Sequence, residues 1–524
     1  MNKTLVTLVK AATAALAIGG LATGSAQTSG GVLTGGFDVG PGGLPGVFNP
    51  LVLTAGLTWI EKYFSPLVQY DVNFQKIGGE LAKSWVVTRD GKTYSFVLRD
   101  NVKWHDGQPF TAQDVKFTLD LYRNPDSGSI FTPRLENVAS VKTSGAHGVI
   151  ITLSKPTAPF LDNLSFIMML PEHALKNIPV KDLAKSSWWS TAPIGTGPFK
   201  FNKLVPDQYV ELTAFNDYWR GKPKLDKLIN RYFKEAGSAV LALRSGEIQF
   251  TYVSGDEAAG LKGDPNITVL PGPSHVANYI GFNFKDPRFK DLRVRQAILS
   301  AIDRKSIIAQ LYNGAGSLAS CAYTDAQFVP KKGLSANAYD PERAKQLLKD
   351  ANWSAVKDNG PALELLTYYG DKLSSDVMVT IQQMLSQVGV NVKVRTVDVA
   401  TYNQTTTAGN FTLTFAGQGN GPDPETANVL FESTAARASG ANRFSIAMPQ
   451  LDQLIAQSRV EINPRKRAAV FQNLCAYQNA QLPVADLWEA QRFGAVSKKV
   501  QTFVWTPAPG GGRYNDFAET WRLK

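Results

Sequence analysis

The chain has 524 residues, of which 44% are hydrophobic, and this length and content suffice for two or three domains with substantial cores. It carries 55 lysines and arginines against 44 aspartates and glutamates, a formal net charge of +11. Because the basic residues are scattered, and their densest cluster at 465–467 opens a predicted helix, we interpret the charge as solvated surface and expect no nucleic-acid partner. A role in steering an anionic solute stays open.

The first 26 residues have the pattern of a secretory signal peptide. Lys3 and Lys10 precede an apolar stretch over 11–22, and the small residues of 24–26 (GSA) provide a cleavage site before Gln27. The stretch is too short to span a membrane, and it is not followed by a cysteine that could carry a lipid. The pattern predicts a soluble, exported, periplasmic protein whose mature chain begins at Gln27.

A β-hairpin is the first element that the mature sequence predicts clearly. Residues 93–98 (TYSFVL) alternate polar and apolar side chains, as in a strand with one buried face. The turn pair Asp90-Gly91 precedes them, so we expect 85–87 (WVV) to pair with 94–98 across this turn.

Helix starts are marked by capping residues at three places. Thr111, with Asp114 three residues later, predicts the start of a helix over 115–122. Asp340-Pro341 and Asn463-Pro464 each place a capping side chain before a proline that is suited to the first helical position.

The second half of the chain alternates helices and strands. Residues 377–388 form an amphipathic pattern that Gly389 closes, and 390–397 alternate like a strand. Strands that are interleaved with helices indicate an α/β fold class.

Two cysteines, Cys321 and Cys475, occur in the chain. In an exported protein such a pair favours a disulfide. A bridge depends on the distance between the two Cα atoms, which their separation in sequence does not give. A disulfide and a pair of buried thiols therefore both stay open.

Motifs for catalysis and metal binding are absent from the sequence. There is no H-E-x-x-H, no C-x-x-C and no G-x-S-x-G, and 195–197 (GTG) lacks the third glycine of a dinucleotide site. The four histidines are far apart and lack the spacing of zinc ligands: His105, His147, His173 and His275. We expect no catalytic residue, no metal site and no cofactor.

Several blocks of the sequence, in order along the chain, resemble one protein family. The blocks are 64–68 (FSPLV), 80–85 (ELAKSW), 90–99 (DGKTYSFVLR), 102–107 (VKWHDG), 110–117 (FTAQDVKF), 194–199 (IGTGPF), 216–225 (NDYWRGKPKL) and 242–248 (ALRSGEI). They resemble the extracellular solute-binding proteins of peptide/nickel-type ABC importers, family 5, which include oligopeptide- and dipeptide-binding proteins. Those proteins capture a solute outside the membrane and deliver it to a permease.

The resemblance implies a two-lobed α/β fold of the periplasmic binding protein type (type II, cluster C-like) with an extra small domain remote from the ligand. Strands near 279–284 and 488–500 would join the lobes, which close around the solute by a hinge. The implied division is lobe I at 27–71, 194–280 and 500–524, the accessory domain at 72–193, and lobe II at 281–499. The implied partners of this monomer are a small solute, either peptide or oligosaccharide, and a membrane complex of ABC permease and ATPase.

Residues 415–424 (FAGQGNGPDP) bear on the identity of the ligand. Peptide-binding relatives carry an aromatic-x-x-Asp pattern before the proline, and the aspartate pairs with the α-ammonium of the peptide. Here Gln418 stands in place of the aromatic residue, and Asn420 lies near the place of the aspartate. Asp423 would substitute if the loop were offset, and it is otherwise a turn residue of Asp-Pro. A peptide, which the family favours, and a neutral solute such as an oligosaccharide both remain.

The candidate ligand contacts combine this loop with aromatic residues that are equally consistent with a core position. They are Trp59, Tyr279, Tyr369, Gln418, Asn420, Asp423 and Trp488. A secreted hydrolase is the competing class, although no spacing singles out a pair of catalytic carboxylates. A peptide chaperone or sensor module with the same fold is a third possibility that the sequence does not separate from the importer component.

Overall fold

The computed structural model describes residues 30–36, 49–52, 57–72, 76–191, 193–234, 236–335, 337–433, 442–505 and 516–524. The predicted signal peptide and the cleavage site before Gln27 lie outside these ranges. Within them, no helix is both long enough and apolar enough to cross a membrane.

The strands are β1 Val32–Gly36, β2 Val68–Tyr70, β3 Ile77–Gly79, β4 Ala82–Val87, β5 Thr93–Leu98, β6 Val138–Ser144, β7 Gly148–Leu153, β8 Phe199–Val205, β9 Tyr209–Ala214, β10 Lys227–Arg231, β11 Phe250–Val253, β12 Ile267–Phe282, β13 Gly316–Leu318, β14 Glu364–Thr367, β15 Lys393–Thr396, β16 Leu413–Gly419, β17 Val484–Ser497, β18 Val500–Gln501 and β19 Arg522–Leu523.

The helices are α1 Leu57–Tyr63, α2 Ala112–Arg123, α3 Phe160–Ser165, α4 Glu172–Leu175, α5 Val180–Leu183, α6 Trp188–Thr191, α7 Ala236–Ser245, α8 Gly255–Leu261, α9 Leu292–Ser300, α10 Arg304–Leu311, α11 Pro341–Asp350, α12 Trp353–Val356, α13 Lys372–Gln387, α14 Val399–Ala408, α15 Glu425–Asn428, α16 Pro449–Val460 and α17 Pro464–Gln481.

A four-stranded antiparallel sheet, in the order β4-β5-β7-β6, forms the accessory domain together with α2 and the short helices that follow. The predicted hairpin is confirmed, since Trp85 pairs with Phe96 across β4 and β5. Along β5 the side chains of Tyr94, Phe96 and Leu98 are buried, whereas Thr93, Ser95 and Val97 are more exposed. The predicted start of α2 is also confirmed, because the backbone N–H of Thr111 donates to Asp114 Oδ2 at 2.9 Å.

The two lobes share one large sheet, in the order β15-β14-β16-β12-β17-β11-β1-β10-β9-β8, with β13 paired to β17. In the division that the resemblance implies, strands β14–β16 fall in lobe II, and β1 and β8–β11 fall in lobe I. The long strands β12 and β17 run through both lobes and pair with each other over almost their full length. Both crossing strands begin earlier in the chain than the joining segments expected near 279–284 and 488–500.

The lobe II helices follow the capping signals of the sequence. Helix α11 begins directly after Asp340 and α17 directly after Asn463, and both side chains accept N–H groups of the first helical turn. Helix α13 begins at Lys372, earlier than the predicted 377, and ends before Gly389, whose φ of +87° suits glycine.

The apolar cores divide the molecule into bodies. One continuous cluster of buried side chains extends from lobe I into the accessory domain and includes Tyr63, Trp104 and Trp189. Lobe II is built on two other clusters, one around Ile298 and Ile381 and one that includes the two cysteines. Because the accessory domain shares its core with lobe I, we expect these two to move together.

Candidate functional site

The crossing strands are interrupted by a bulge where they pass from lobe I to lobe II. Pro273 of β12 pairs with Gln491 of β17, but Ala277 already pairs with Glu489, so residues 274–276 face a single residue of β17. His275, inside this bulge, has a backbone φ of 53°, a value that residues other than glycine seldom adopt. Such strained backbone is concentrated at ligand sites and switch regions.

A cavity of about 240 Å³ lies against this bulge. It is bounded by three parts of the chain: the bulge, the segment that follows Cys321, and the loop that follows β16. Its lining residues are Pro273, His275, Tyr323, Thr324, Asp325, Phe328, Asn420, Gly421, Pro422 and Pro424. No lysine or arginine is among them, whereas several side chains offer hydrogen-bond acceptors.

Asn420 lines this cavity, and its side-chain oxygen is buried in the cavity wall. Its backbone N–H donates to the carbonyl of His275 at 2.7 Å, and its Nδ2 donates to the carbonyl of Ala322 at 2.8 Å. Its Oδ1 is buried and has no hydrogen-bond partner among the described residues. A buried amide oxygen without a donor is costly, so the site is suited to a ligand that donates a hydrogen bond.

Asp423, the candidate ammonium partner, is buried and engaged by a neighbouring helix. Arg467 of α17 donates to both carboxylate oxygens, with Nη1 to Oδ2 at 2.6 Å and Nη2 to Oδ1 at 2.9 Å. The carboxylate also accepts the backbone N–H of Glu425 at 2.9 Å. These contacts tie the end of the cavity loop to lobe II, and the role of Asp423 in ligand binding stays a prediction.

Tyr279 and Trp488 lie in the core beside the cavity and do not line it. The ring of Tyr279, which is 4% exposed, packs edge-on against Phe444 with centroids 5.8 Å apart. The ring of Trp488 is fully buried between Tyr312 and Phe415, with centroid distances of 5.8 and 6.0 Å.

The other candidate contacts also lie outside the cavity lining. Tyr369 is half-buried, and its hydroxyl lies 3.3 Å from that of Tyr368. Gln418 is half-buried, and its Nε2 donates to the carbonyl of Gly419. Trp59 belongs to α1, and its side chain lies outside the described residues.

Two acidic side chains flank His275. Glu489 of β17 accepts the backbone N–H of His275 on Oε1 at 2.7 Å, and Asp325 lines the cavity. Burial raises the pKa of Glu489 from 4.5 to about 7. Burial also lowers the pKa of His275, which the charge of Asp325 opposes. The electrostatic environment of the cavity therefore favours positive or hydrogen-bond-donating groups.

Neither of these two acidic residues is marked as a site residue by the sequence. His275 and Glu489 are separated by 214 positions, and neither belongs to a motif. Asp325 has the appearance of an ordinary capping residue, since it accepts the N–H of Gln327 at the start of a short turn of 3₁₀ helix. The pairing of β12 with β17 brings Glu489 to His275, and the segment that follows Cys321 brings Asp325 to the same cavity.

Replacing Glu489 with glutamine is expected to stabilise the protein at pH 8 and to leave its stability nearly unchanged at pH 5. The folded state binds a proton near pH 7 that the unfolded chain binds only near pH 4.5, so the charged form is disfavoured on folding. The penalty above pH 7 is at most about 3 kcal/mol. Glutamine carries no charge, and its amide oxygen still accepts the N–H of His275.

Thermal unfolding at the two pH values measures this difference. Glu342→Gln, at a carboxylate that is 80% exposed, serves as the control and should show no change that depends on pH. An equal loss of stability in Glu489→Gln at both pH values would contradict the interpretation.

Cys321 and Cys475 form a disulfide that adjoins the cavity, with a Cα–Cα distance of 5.2 Å. Cys321 directly precedes the segment 322–325, and Cys475 lies on α17, the helix that also carries Arg467. The bridge therefore fixes one wall of the cavity to the helix that holds the opposite loop. Among the described residues no cluster of three or more potential metal ligands occurs.

Comparisons with known proteins place these features in context. Residues 76–439 match the family described as bacterial extracellular solute-binding proteins, family 5 middle. A protein of Brucella ovis that is named an ABC transporter peptide-binding protein is 48% identical over 518 residues, which cover 98% of each chain.

Solved structures of similar fold hold more than one class of ligand. The oligopeptide-binding protein AppA from Bacillus subtilis, in complex with a nonapeptide, has a TM-score of 0.83 at 26% identity, over 95% of this chain and 100% of that one. NikZ from Campylobacter jejuni, in complex with Ni(L-His), has a TM-score of 0.82 at 26% identity, with the same coverage of both chains.

Proposed function

The chain belongs to family 5 of the bacterial extracellular solute-binding proteins, and we propose that it is the substrate-binding component of an ABC importer for peptides. It binds the solute between its lobes and passes it to a membrane permease that an ATPase drives. The peptide-binding relatives and the nonapeptide complex of a structural neighbour support this choice of solute. The proposal includes export by the signal peptide at 1–26 and a function without catalysis.

The observation that carries the choice of ligand is the set of acceptors at the cavity. Within the part of the chain that the structure describes, the buried Oδ1 of Asn420 has no donor, and the carboxylate of Asp325 lies in the same lining. Among the described residues, no lysine or arginine lines the cavity. An ammonium group has three donors and a positive charge, so the amino terminus of a peptide fits this environment, whereas a carboxylate does not.

In this proposal Asp325 supplies the counter-charge and Asp423 positions the loop. Asp423 already shares two hydrogen bonds with Arg467, which compensates its charge. Each oxygen of Asp325 accepts one hydrogen bond from Gln327, and both of these donors are neutral. The carboxylate of Asp325 therefore keeps a charge that a ligand can pair with.

Asp325→Asn is expected to weaken binding of trialanine by roughly tenfold or more, because a charge-assisted hydrogen bond is worth about 1.5–3 kcal/mol. It should leave the binding of N-acetyl-trialanine, which lacks the ammonium group, nearly unchanged. Asn420→Ala should weaken the binding of trialanine as well. Titration calorimetry of the purified variants measures these affinities.

The matched control is Asp398→Asn, which alters an aspartate that caps α14 in the same lobe. It should bind both peptides as the parent does. The opposite pattern, in which Asp423→Asn selectively abolishes trialanine binding and Asp325→Asn does not, would assign the ammonium to Asp423 on an offset loop. Binding of maltotriose with no binding of either peptide would overturn the peptide proposal in favour of an oligosaccharide.

A further inference from the structure

The accessory domain touches lobe II close to the cavity, although the family resemblance implies that it is remote from the ligand. The backbone N–H of Ala158, in the accessory domain, donates to the carbonyl of Arg459 at the end of α16, at 2.7 Å. We call this contact region the accessory–lobe II junction. It comprises residues 91, 134, 156–158 and 162 on one side and residues 423, 425, 459, 462 and 467 on the other.

Opposite charges from the two bodies meet at this junction. On the accessory side, Nη1 of Arg134 lies 3.6 Å from Oδ2 of Asp162. Across the junction, Asp423 and Glu425 also favour the charged form of Arg134, so they oppose the lowering of its pKa by burial. Asp162 acts in the same way on Arg467 of α17, whose pKa it helps to raise. Each body therefore contributes both an arginine and a carboxylate.

A small apolar contact completes the junction. Gly91, at the turn of the β4–β5 hairpin, has a φ of +68°, and a Cβ at this position would lie 3.1 Å from the side chain of Ile462. The side chain of Pro156 borders the same spot. Ile462 is itself 43% exposed, so the contact covers only part of it.

The composition of the junction contrasts with the interface between the accessory domain and lobe I. The latter is a continuous apolar core. Among the described residues, the junction contains the backbone hydrogen bond of Ala158, a partly exposed aliphatic contact and charged groups of opposite sign. Contacts of this polar and limited kind are typical of surfaces that separate and rejoin, while a shared core does not come apart.

We propose that the accessory domain docks on lobe II when the cleft closes and serves as a latch for the closed form. Hinge motion about β12 and β17 carries it with lobe I, so closure brings Ala158 onto Arg459 and the hairpin turn onto Ile462. The docking reaches the cavity through Asp423, which ends the cavity loop and binds Arg467. Closure of the cleft and docking of the accessory domain are thereby coupled, and we expect the docked form to be populated before any solute binds.

Hydrogen exchange of the purified full chain tests the latch without reference to any solute. The amide of Ala158 should be protected in the parent. Ile462→Ser removes the apolar contact at an exposed position, and it should speed this exchange by roughly threefold to tenfold, the change expected from one lost contact. Arg134→Gln should act in the same direction. Small-angle scattering should show a larger radius of gyration for both variants.

Two control variants match these changes. Val460→Ser alters an equally exposed residue two positions before Ile462, and Arg123→Gln alters a surface arginine of the accessory domain. Both should leave the exchange of Ala158 and the radius of gyration unchanged. If the Arg134→Gln variant loses protection from hydrogen exchange throughout β5 and β7, its accessory domain has unfolded. The Ile462→Ser variant alone then tests the docking.

An unprotected Ala158 amide in the parent would overturn the proposal, because the contact would then not form in solution. Faster exchange in Ile462→Ser without any increase in the radius of gyration would also overturn it, since it would show local fraying in place of undocking. Neither result bears on whether a peptide binds the cavity, so failure of the latch and failure of the proposed function are distinguishable.

Discussion

Replacing Arg467 with methionine is expected to lower the free energy of unfolding by about 3–5 kcal/mol, the loss that follows removal of one partner from a buried ion pair. The side chains of Arg467 and Asp423 are only 13% and 9% exposed. Methionine fills much of the same volume but leaves the carboxylate of Asp423 buried without its counter-charge. The Nε of Arg467 also donates to the carbonyl of Ser458, a bond that is lost as well. Urea unfolding at neutral pH measures the change.

A second substitution separates the effect of the unpaired charge on stability from the effect of the lost packing. In Arg467→Met/Asp423→Asn no unpaired charge remains, so the double variant should recover part of the stability that the single variant loses. Arg293→Met, which breaks a pair whose arginine is 50% exposed, is the control and should change the stability far less, because solvent screens an exposed pair. A loss in Arg467→Met no larger than that of the control would contradict the structural role assigned to the pair.

The local elements of this protein were predictable because their signals lie within a few residues of one another. The turn pair Asp90-Gly91 and the alternation of 93–98 predict the hairpin that the structure contains. The caps Asp340 and Asn463 mark the starts of α11 and α17 in the same way. Each of these signals acts through the backbone of adjacent residues, and tertiary contacts do not override them here.

The candidate site was predictable only in part because its groups come together through the sheet. Residues 415–424 were singled out because they stand where peptide-binding relatives carry an aromatic-x-x-Asp pattern, from which this sequence departs. The structure places residues 420–422 and 424 of this segment on the cavity. The acidic neighbours of His275 carry no local signal for a site. Glu489 reaches His275 through the bulge at 274–276 and the pairing of two distant strands, and Asp325 comes from a third part of the chain. The aromatic candidates are the opposite case. Tyr279 and Trp488 are residue types that are common at binding surfaces, but the structure places both in the core.

Replacing both cysteines with serine is expected to lower the free energy of unfolding by about 2–5 kcal/mol, the cost usually seen when a native disulfide is removed. The bridge closes a loop across a sequence separation of 154 residues, so it removes much conformational freedom from the unfolded chain. Both cysteines are fully buried in a lobe II cluster where Tyr323 and Phe471 pack edge-on at 5.3 Å. Serine also places two hydroxyl groups in this apolar surrounding, which adds to the loss.

Reduction of the parent protein distinguishes these two contributions. Dithiothreitol should lower the urea midpoint of the parent toward that of Cys321→Ser/Cys475→Ser and should leave the double variant unchanged. Because Cys321 adjoins the segment 322–325 and Asn420 donates to the carbonyl of Ala322, loss of the bridge should also speed hydrogen exchange in 320–325 and 418–424. Exchange in β4–β7, which belong to the accessory domain, should not change. Equal midpoints for the oxidised and reduced parent would show that the cavity wall is held by packing, and that the covalent link adds nothing to its stability.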